Sequence, residues 1–203
     1  MFNPIVVTPI EGGPLKLENV HDVHFCGEPI ETDNTIWVCR CGESKRAPFC
    51  DGSHHAVNWV GACRPAAQKD IVVWEGQRIR TRFNPTACMH VYYCKPLKAL
   101  RATELADDGD AGLAAARDIA RVVGTCPSGA LTFEAKTELH LDPATTGPAV
   151  DIVEGGEVRL RSAFSGIDPM PGQAPDTATL CRCGRSRNKP YCDGRHKGRK
   201  GFR

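Results

Sequence analysis

The sequence has few aromatic residues and no long apolar run. Aromatic side chains make up only 6% of the 203 residues, so no single large hydrophobic core is evident. No stretch reaches the roughly 18 apolar residues that suggest a membrane-spanning helix, and no secretory signal pattern opens the chain. We therefore expect a soluble protein without a membrane partner in a reducing compartment, the cytoplasm.

The motifs of common enzyme classes are absent as well. The chain has no Gly-rich loop for dinucleotides or phosphates. A Ser/His/Asp or Cys/His nucleophile would need side chains that are assigned to metal below. The net charge of +2 gives no indication of nucleic acid binding. We expect a protein that is not an enzyme and has no nucleic acid partner.

Cysteine, by contrast, is abundant. The chain has 11 Cys, an odd number, and its C-x-C pairs suit metal ligation better than a disulfide framework. Segments of about 50 residues bury too little surface to be stable alone. Bound metal would therefore stabilise the fold as well as carry chemistry.

Two similar stretches contain most of these cysteines. The first ligand loop (residues 39–54) reads CRCGESKRAPFCDGSH, and the second ligand loop (residues 181–196) reads CRCGRSRNKPYCDGRH. Each loop has the order C-x-C, eight residues, C, three residues, H. The candidate ligands are Cys39, Cys41, Cys50 and His54 in the first loop, and Cys181, Cys183, Cys192 and His196 in the second.

Three Cys and one His can bind zinc or an iron–sulfur cluster. Structural zinc loops usually space the first pair as C-x2-4-C. C-x-C instead places two thiolates side by side, which suits one iron of a 2Fe-2S rhomb and leaves the later Cys and His for the other iron. Asp51-Gly52 resembles a helix start with Asp51 as its cap, and His54 follows Cys50 by about one helical turn. The spacing favours 2Fe-2S, with zinc as the alternative.

The two loops resemble those of the CDGSH iron–sulfur family of the mitoNEET type. This resemblance implies small β-rich units in which three Cys and one His bind a 2Fe-2S cluster, hence two such clusters on the eight ligands named above. It also implies that two units pair about a two-fold or pseudo-two-fold axis. Because both copies lie in one chain, we expect residues 1–62 to pack against residues 145–203. The second loop departs from the family at Arg195, where Ser is usual.

An internal repeat extends beyond the ligand loops. Residues 10–17 (IEGGPLKL) align with residues 153–160 (VEGGEVRL). In both, a Gly-Gly turn precedes alternating apolar residues, as in a hairpin with one buried face. Short strands at residues 35–38 and 177–180 would then lead into the C-x-C pairs. The chain is thus expected to be α+β and mostly β, with domains at residues 1–62, 63–144 and 145–203.

The middle segment has a different pattern. Residues 71–83 resemble a β-hairpin, and residues 111–123 a helix with Asp110 as its cap. Both elements lie outside the repeated part of the sequence. The pattern therefore predicts a separate small domain between the two repeats.

Three cysteines of the middle segment partly match a bacterial ferredoxin pattern. Cys88 and Cys94 stand where the first and third ligands of a C-x2-C-x2-C loop would lie, and Cys126 is followed by Pro. This resembles a divergent single-cluster ferredoxin-like domain in which Val91 occupies the second ligand position. Three thiolates favour a 3Fe-4S cluster. One alternative is a 4Fe-4S cluster whose fourth ligand is His90, Cys63 or a small exogenous ligand. The other alternative is that these cysteines bind no cluster.

Three functions fit these sites. The first is electron transfer with an unknown protein redox partner, which could dock on the basic C-terminus. The second is an iron–sulfur carrier for an apo-acceptor, or a redox or pH sensor, because a His ligand must be neutral to bind metal. In the third, the clusters only stabilise small domains. The basic residues in question are Arg195, Lys197, Arg199, Lys200 and Arg203.

Overall fold

A computed structural model of the chain describes residues 3–141 and 147–198. Within these residues the protein is built mainly from short strands in three sheets, which confirms the expected α+β, mostly β fold class. The described part contains no helix with the length and apolar character needed to cross a membrane. Of the basic C-terminal residues, Arg199, Lys200 and Arg203 lie outside the described ranges.

The first repeat consists of strands that lead into the first ligand loop. Its elements are β1 (Ile5–Pro9), β2 (Leu15–Glu18), β3 (Val23–Phe25), β4 (Glu28–Pro29), β5 (Thr35–Val38) and α1 (Ser53–Ala56). In β2, Leu15 and Leu17 are fully buried whereas Lys16 and Glu18 are partly exposed. This alternation confirms the predicted hairpin with one buried face.

The middle segment has its own sheet and two helices. Its elements are β6 (Val72–Glu75), β7 (Ile79–Phe83), α2 (Leu97–Ala106), α3 (Asp110–Gly124) and β8 (Leu131–Ala135). The predicted hairpin and helix are confirmed as β6–β7 and α3, while α2 and β8 were not predicted. The predicted cap was wrong. Asp110 already lies inside the helix, and the Asp107 carboxylate accepts hydrogen bonds from the N–H groups of Gly109 and Gly112, both at 2.9 Å.

The second repeat follows the same order as the first. Its elements are β9 (Val150–Ile152), β10 (Val158–Arg161), β11 (Phe164–Ser165), β12 (Thr177–Leu180) and a 3-10 turn (Arg195–Gly198). The predicted strands at residues 35–38 and 177–180 match β5 and β12. Each therefore delivers the chain directly into a C-x-C pair.

Each repeat contributes strands to the sheet of the other. One sheet has the order β11-β1-β2-β5, and the second has the order β12-β10-β9-β3-β4. β1 pairs in parallel with β11, so that Ile5 lies opposite Phe164, and β3 pairs in parallel with β9, so that Val23 lies opposite Val150. The exchange is reciprocal, and one hydrophobic core runs through both sheets. Both ligand loops are thus supported by the same core.

The middle segment packs against the second repeat through side chains that bind main-chain carbonyls. Thr179 donates to the carbonyl of Pro127 at 2.6 Å, and Gln173 donates to that of Ser128 at 2.9 Å. Asn188, inside the second ligand loop, donates to the carbonyl of Thr86 at 2.9 Å. These contacts hold the middle cysteine set (Cys88, Cys94 and Cys126) against the second repeat. The boundaries at residues 63–144 stay a prediction.

Candidate metal centres

The first ligand loop brings its four candidate ligands together as two pairs. Cys39 Sγ lies 3.5 Å from Cys41 Sγ, and Cys50 Sγ lies 3.4 Å from His54 Nδ1. Cys50 is close enough to Cys41 to contribute to the raised pKa of that thiol. The short distance between Cys50 and His54 confirms that their side chains point the same way.

The residue before helix α1 is Gly52 rather than Asp51. Gly52 has a φ of +85°, a left-handed conformation that favours glycine. Asp51 instead closes the loop, because its carboxylate accepts hydrogen bonds from the N–H groups of Lys45 at 2.8 Å and Ser53 at 3.0 Å. The helix cap expected at Asp51 is thus corrected, although Asp51 still fixes the turn that carries His54.

The second ligand loop repeats this geometry. Cys181 Sγ lies 3.9 Å from Cys183 Sγ, and Cys192 Sγ lies 3.4 Å from His196 Nδ1. Asp193 takes the role of Asp51, since it accepts a hydrogen bond from the Arg187 N–H at 2.9 Å. The side chain of Arg195, where the sequence departs from the family, also donates to Asp193.

The chemistry of the donors fits a bound metal in both loops. Burial and the neighbouring thiol of Cys39 raise the pKa of Cys41 to about 11, and burial raises the pKa of Cys192. Buried thiols with a raised pKa lose their protons when a metal ion binds. Cys181 differs from them, because the hydrogen bond from the Cys183 thiol lowers its pKa to about 6. Burial lowers the pKa of His54 and of His196, which favours the neutral imidazole that can bind metal.

A family model supports this assignment. The model described as an iron-binding zinc finger of the CDGSH type matches residues 3–55 and 147–197, just over half of the chain. The chain belongs to the CDGSH iron-binding family. It is therefore an iron–sulfur protein with two CDGSH domains. No curated protein and no solved structure matches the chain.

Main-chain N–H groups surround the sulfurs of the CDGSH loops. The N–H of Gly42 points to Cys39 Sγ at 3.2 Å, and that of Glu43 points to Cys41 Sγ at 3.4 Å. In the second loop the N–H of Gly194 points to Cys192 Sγ at 3.3 Å. Such donors stabilise negative charge on a cluster and thereby tune its reduction potential.

The middle cysteine set lines one small cavity. Cys88, Cys94 and Cys126 all contribute to its wall, and burial together with the other two thiols raises the pKa of Cys88. His90 lies beside Cys88, with Nδ1 3.8 Å from its Sγ. Cys63 is instead next to Arg40 of the first CDGSH loop, at 3.5 Å.

The three ligand loops contact one another in series. A Cβ on Gly194 of the second loop would collide with the carbonyl oxygen of Met89 in the middle set. Lys197 donates to the neighbouring carbonyl of His90 at 3.0 Å. The second CDGSH loop also contacts the first, since a Cβ on Gly184 would lie 3.0 Å from the carbonyl oxygen of Arg40 in the first loop. The second CDGSH loop thus lies between the other two sites.

Two buried charged residues at these sites, Arg182 and Glu157, were not predicted from the sequence. Arg182 is 1% exposed, and its pKa is lowered by burial while the nearby thiols of Cys39 and Cys183 act in the opposite direction. Glu157 is 2% exposed and lies 3.3 Å from His196 Nε2. The repeat gave one indication of Glu157, because the alignment shows an acidic residue in the second copy where the first copy has Pro14.

Proposed function

We propose that this iron–sulfur protein transfers electrons through three clusters. Two are 2Fe-2S clusters on the CDGSH loops, and the third is a ferredoxin-type 3Fe-4S cluster on Cys88, Cys94 and Cys126. When bound, such clusters supply one-electron redox chemistry with little rearrangement of the protein. The observation that carries the proposal is the serial contact of the three ligand loops.

The direct main-chain contacts support a fixed order of sites. Gly194 packs against the carbonyl of Met89, and Gly184 packs against the carbonyls of Arg40 and Cys41. Both glycines have a positive φ, +80° and +75°, and a side chain at either position would push the neighbouring loop away. The two glycines therefore allow the second CDGSH loop to approach the sites on both sides.

Buried charge supports a redox role. Arg182 is near enough to Cys39 and Cys183, one cysteine of each CDGSH loop, for both thiols to act on its pKa, and its side chain donates to the carbonyl of Val153 at 3.1 Å. A buried guanidinium offsets negative charge that would otherwise accumulate in a low-dielectric interior. Arg182 would thus make each of these two sites easier to reduce.

The donors of the middle set support the proposed 3Fe-4S nuclearity. Val91 stands where the second cysteine of a ferredoxin loop would lie, so three thiolates are available. His90 is beside Cys88, so a 4Fe-4S cluster with His90 as fourth ligand is the competing assignment. Cys63 does not contribute to the described wall of this cavity, which disfavours it as that ligand.

The partner is proposed to be a one-electron redox protein, and the chain itself is proposed to have no catalytic site. The two ends of the series are accessible. Tyr92 and Tyr93 at the middle set are 63% and 53% exposed. At the other end Cys50 is partly exposed, and nothing would lie within 4 Å of a Cβ on Gly52. An electron could enter at one end and leave at the other.

The accessible first CDGSH loop also supports the rival role, transfer of a whole cluster to an apo-acceptor. The two roles differ in what happens to iron. We would reduce the anaerobic holoprotein with dithionite, reoxidise it with a stoichiometric one-electron acceptor, and measure iron and absorbance after each cycle. Full retention of iron supports electron transfer. Loss of iron to an added apo-ferredoxin, faster than to a chelator, would contradict it and establish the carrier.

A further inference from the structure

The two CDGSH sites differ at one buried side chain. Hydrogen bonds from the N–H of Ile10 to the carbonyl of Pro14 and from that of Val153 to the carbonyl of Glu157, both at 3.0 Å, close the same turn in the two repeats. Glu157 and Pro14 are therefore structurally equivalent. A carboxylate occupies this position in the second repeat, and a proline ring occupies it in the first.

Glu157 contacts the ligand histidine of its own repeat. Its Oε2 lies 3.3 Å from His196 Nε2, while His196 Nδ1 faces Cys192. The three potential ligand atoms of Glu157, Cys192 and His196 lie within 4.8 Å of one another. The carboxylate is thus placed to accept a hydrogen bond from one ring nitrogen while the other nitrogen binds metal.

The position of this carboxylate is itself fixed. Its other oxygen, Oε1, accepts hydrogen bonds from Arg159 at 2.8 Å, and Arg159 also lies 3.6 Å from Asp151. An acceptor held by a guanidinium in this way cannot rotate away from the histidine. In the first repeat the residue aligned with Arg159 is Lys16, which instead pairs with Glu18 at 2.7 Å.

His54 has a different environment. Among the residues that the structure describes, none of the ion pairs joins a carboxylate to His54, and its ring packs on His55 with centroids 4.1 Å apart. The nearby carboxylate of Asp51 is held by main-chain N–H groups of its own loop. The two imidazole ligands therefore differ in what orients them, although the four ligands are the same.

We propose that Glu157 is a positioning residue for His196 and makes the two CDGSH centres unequal. The second centre has the lower reduction potential and retains its cluster longer than the first. Arg159 offsets part of the charge of Glu157, but a hydrogen bond from the ring to the carboxylate makes the imidazole a more basic ligand, which disfavours reduction. The same hydrogen bond holds the imidazole in the orientation that binds metal. This inference rests on the proposed function, because it requires a cluster in each loop.

The test uses redox titration of the anaerobic holoprotein, followed by EPR. His196→Cys first identifies which 2Fe-2S signal belongs to the second loop. We expect Glu157→Gln, which keeps the size and an acceptor oxygen, to raise the potential of that signal alone. We expect Glu157→Ala to release that cluster about 10-fold faster to a chelator, the scale typical of lost outer hydrogen bonds to metal ligands. Gln at this position should restore part of the retention.

Glu154→Gln is the matched control, because the same chemical change is made on the exposed side of the same turn. It should leave both signals unchanged. Two clusters of equal potential in the wild type, or an unchanged second signal in Glu157→Gln, would overturn the inference while leaving electron transfer intact. A protein without 2Fe-2S signals would overturn the proposed function and the inference together.

Discussion

Gly194 of the second CDGSH loop lies directly against the main-chain carbonyl of Met89 in the middle cysteine set. Through this contact the second CDGSH loop packs against the middle cysteine set. It depends on the absence of a side chain, since Gly194 has a φ of +80° and a Cβ would collide with that carbonyl. The contact therefore links a local backbone conformation to the packing of the second CDGSH loop on the middle cysteine set.

Gly194→Ala is expected to weaken this contact. Gly52→Ala is its matched control, because Gly52 has the same left-handed backbone, φ +85°, but open space where the Cβ would lie. Both variants incur the backbone penalty of roughly 1–2 kcal/mol. Gly194→Ala should cost about 1–3 kcal/mol more, as in other overpacked sites. Thermal unfolding followed by cluster absorbance gives the difference, and equal losses of stability would contradict the contact.

Arg182→Met is expected to lower the reduction potentials of both CDGSH centres. The buried guanidinium of Arg182 lies near Cys39 of one loop and Cys183 of the other, so its loss removes positive charge from both. Arg185→Met is the control, since Arg185 is exposed in the same loop and its charge is screened by water. EPR redox titration measures the two potentials. A change confined to one centre would place Arg182 at that centre alone.

Iron release to a chelator is expected to have two phases for the CDGSH centres. Cys50 of the first loop is partly exposed, whereas Cys192 of the second is 3% exposed and its loop is covered by the middle segment. The first cluster should therefore be lost first. In Cys39→Ser, which lacks a ligand of the first loop, the fast phase should disappear. Its persistence would mean that the second site is the labile one.

Cys88→Ser is expected to remove the middle cluster and leave the two CDGSH clusters in place. Cys88 shares its cavity with Cys94 and Cys126 and with neither CDGSH ligand set. Cys26→Ser is the control, because Cys26 is exposed and contributes to none of the three sites. Iron analysis of both variants shows whether Cys88→Ser has lost the middle cluster. An unchanged iron content in Cys88→Ser would mean that the middle set binds no cluster.

The grouping of the Cys and His side chains within each CDGSH loop could be predicted from the sequence because it is local. Cys50 and His54 are only four positions apart, and the tight turn formed by Asp51 and Gly52 between them brings Sγ and Nδ1 to 3.4 Å from each other. The strands β5 and β12 were also predictable, since each is a short run of β-forming residues bounded by turns.

The strand exchange between the repeats could not be predicted in the same way. β3 has only three residues and β11 only two, too few for an alternating pattern to emerge. Their pairing depends on contacts between residues more than a hundred positions apart. These strands could not be predicted because they are short and pair with strands that lie far away in the sequence.

Helix α2 was missed for a chemical reason. Its buried face includes Glu104, which is 0% exposed and accepts hydrogen bonds from the N–H groups of Gln77 and Arg78. An acidic residue at an inward position breaks the apolar stripe by which a helix is recognised in sequence. Glu157 was not predicted for a different reason, because its contact is with a histidine 39 positions later in the chain.

The central claim, three clusters in one chain, is tested most directly by iron and zinc analysis of the anaerobically purified protein together with EPR before and after reduction. Two 2Fe-2S clusters and one 3Fe-4S cluster contain about seven iron atoms per chain, and a 3Fe-4S centre is paramagnetic when oxidised. We expect about seven iron, no zinc and an EPR signal in the protein as isolated. Four iron with no such signal, or zinc in place of iron, would contradict the account.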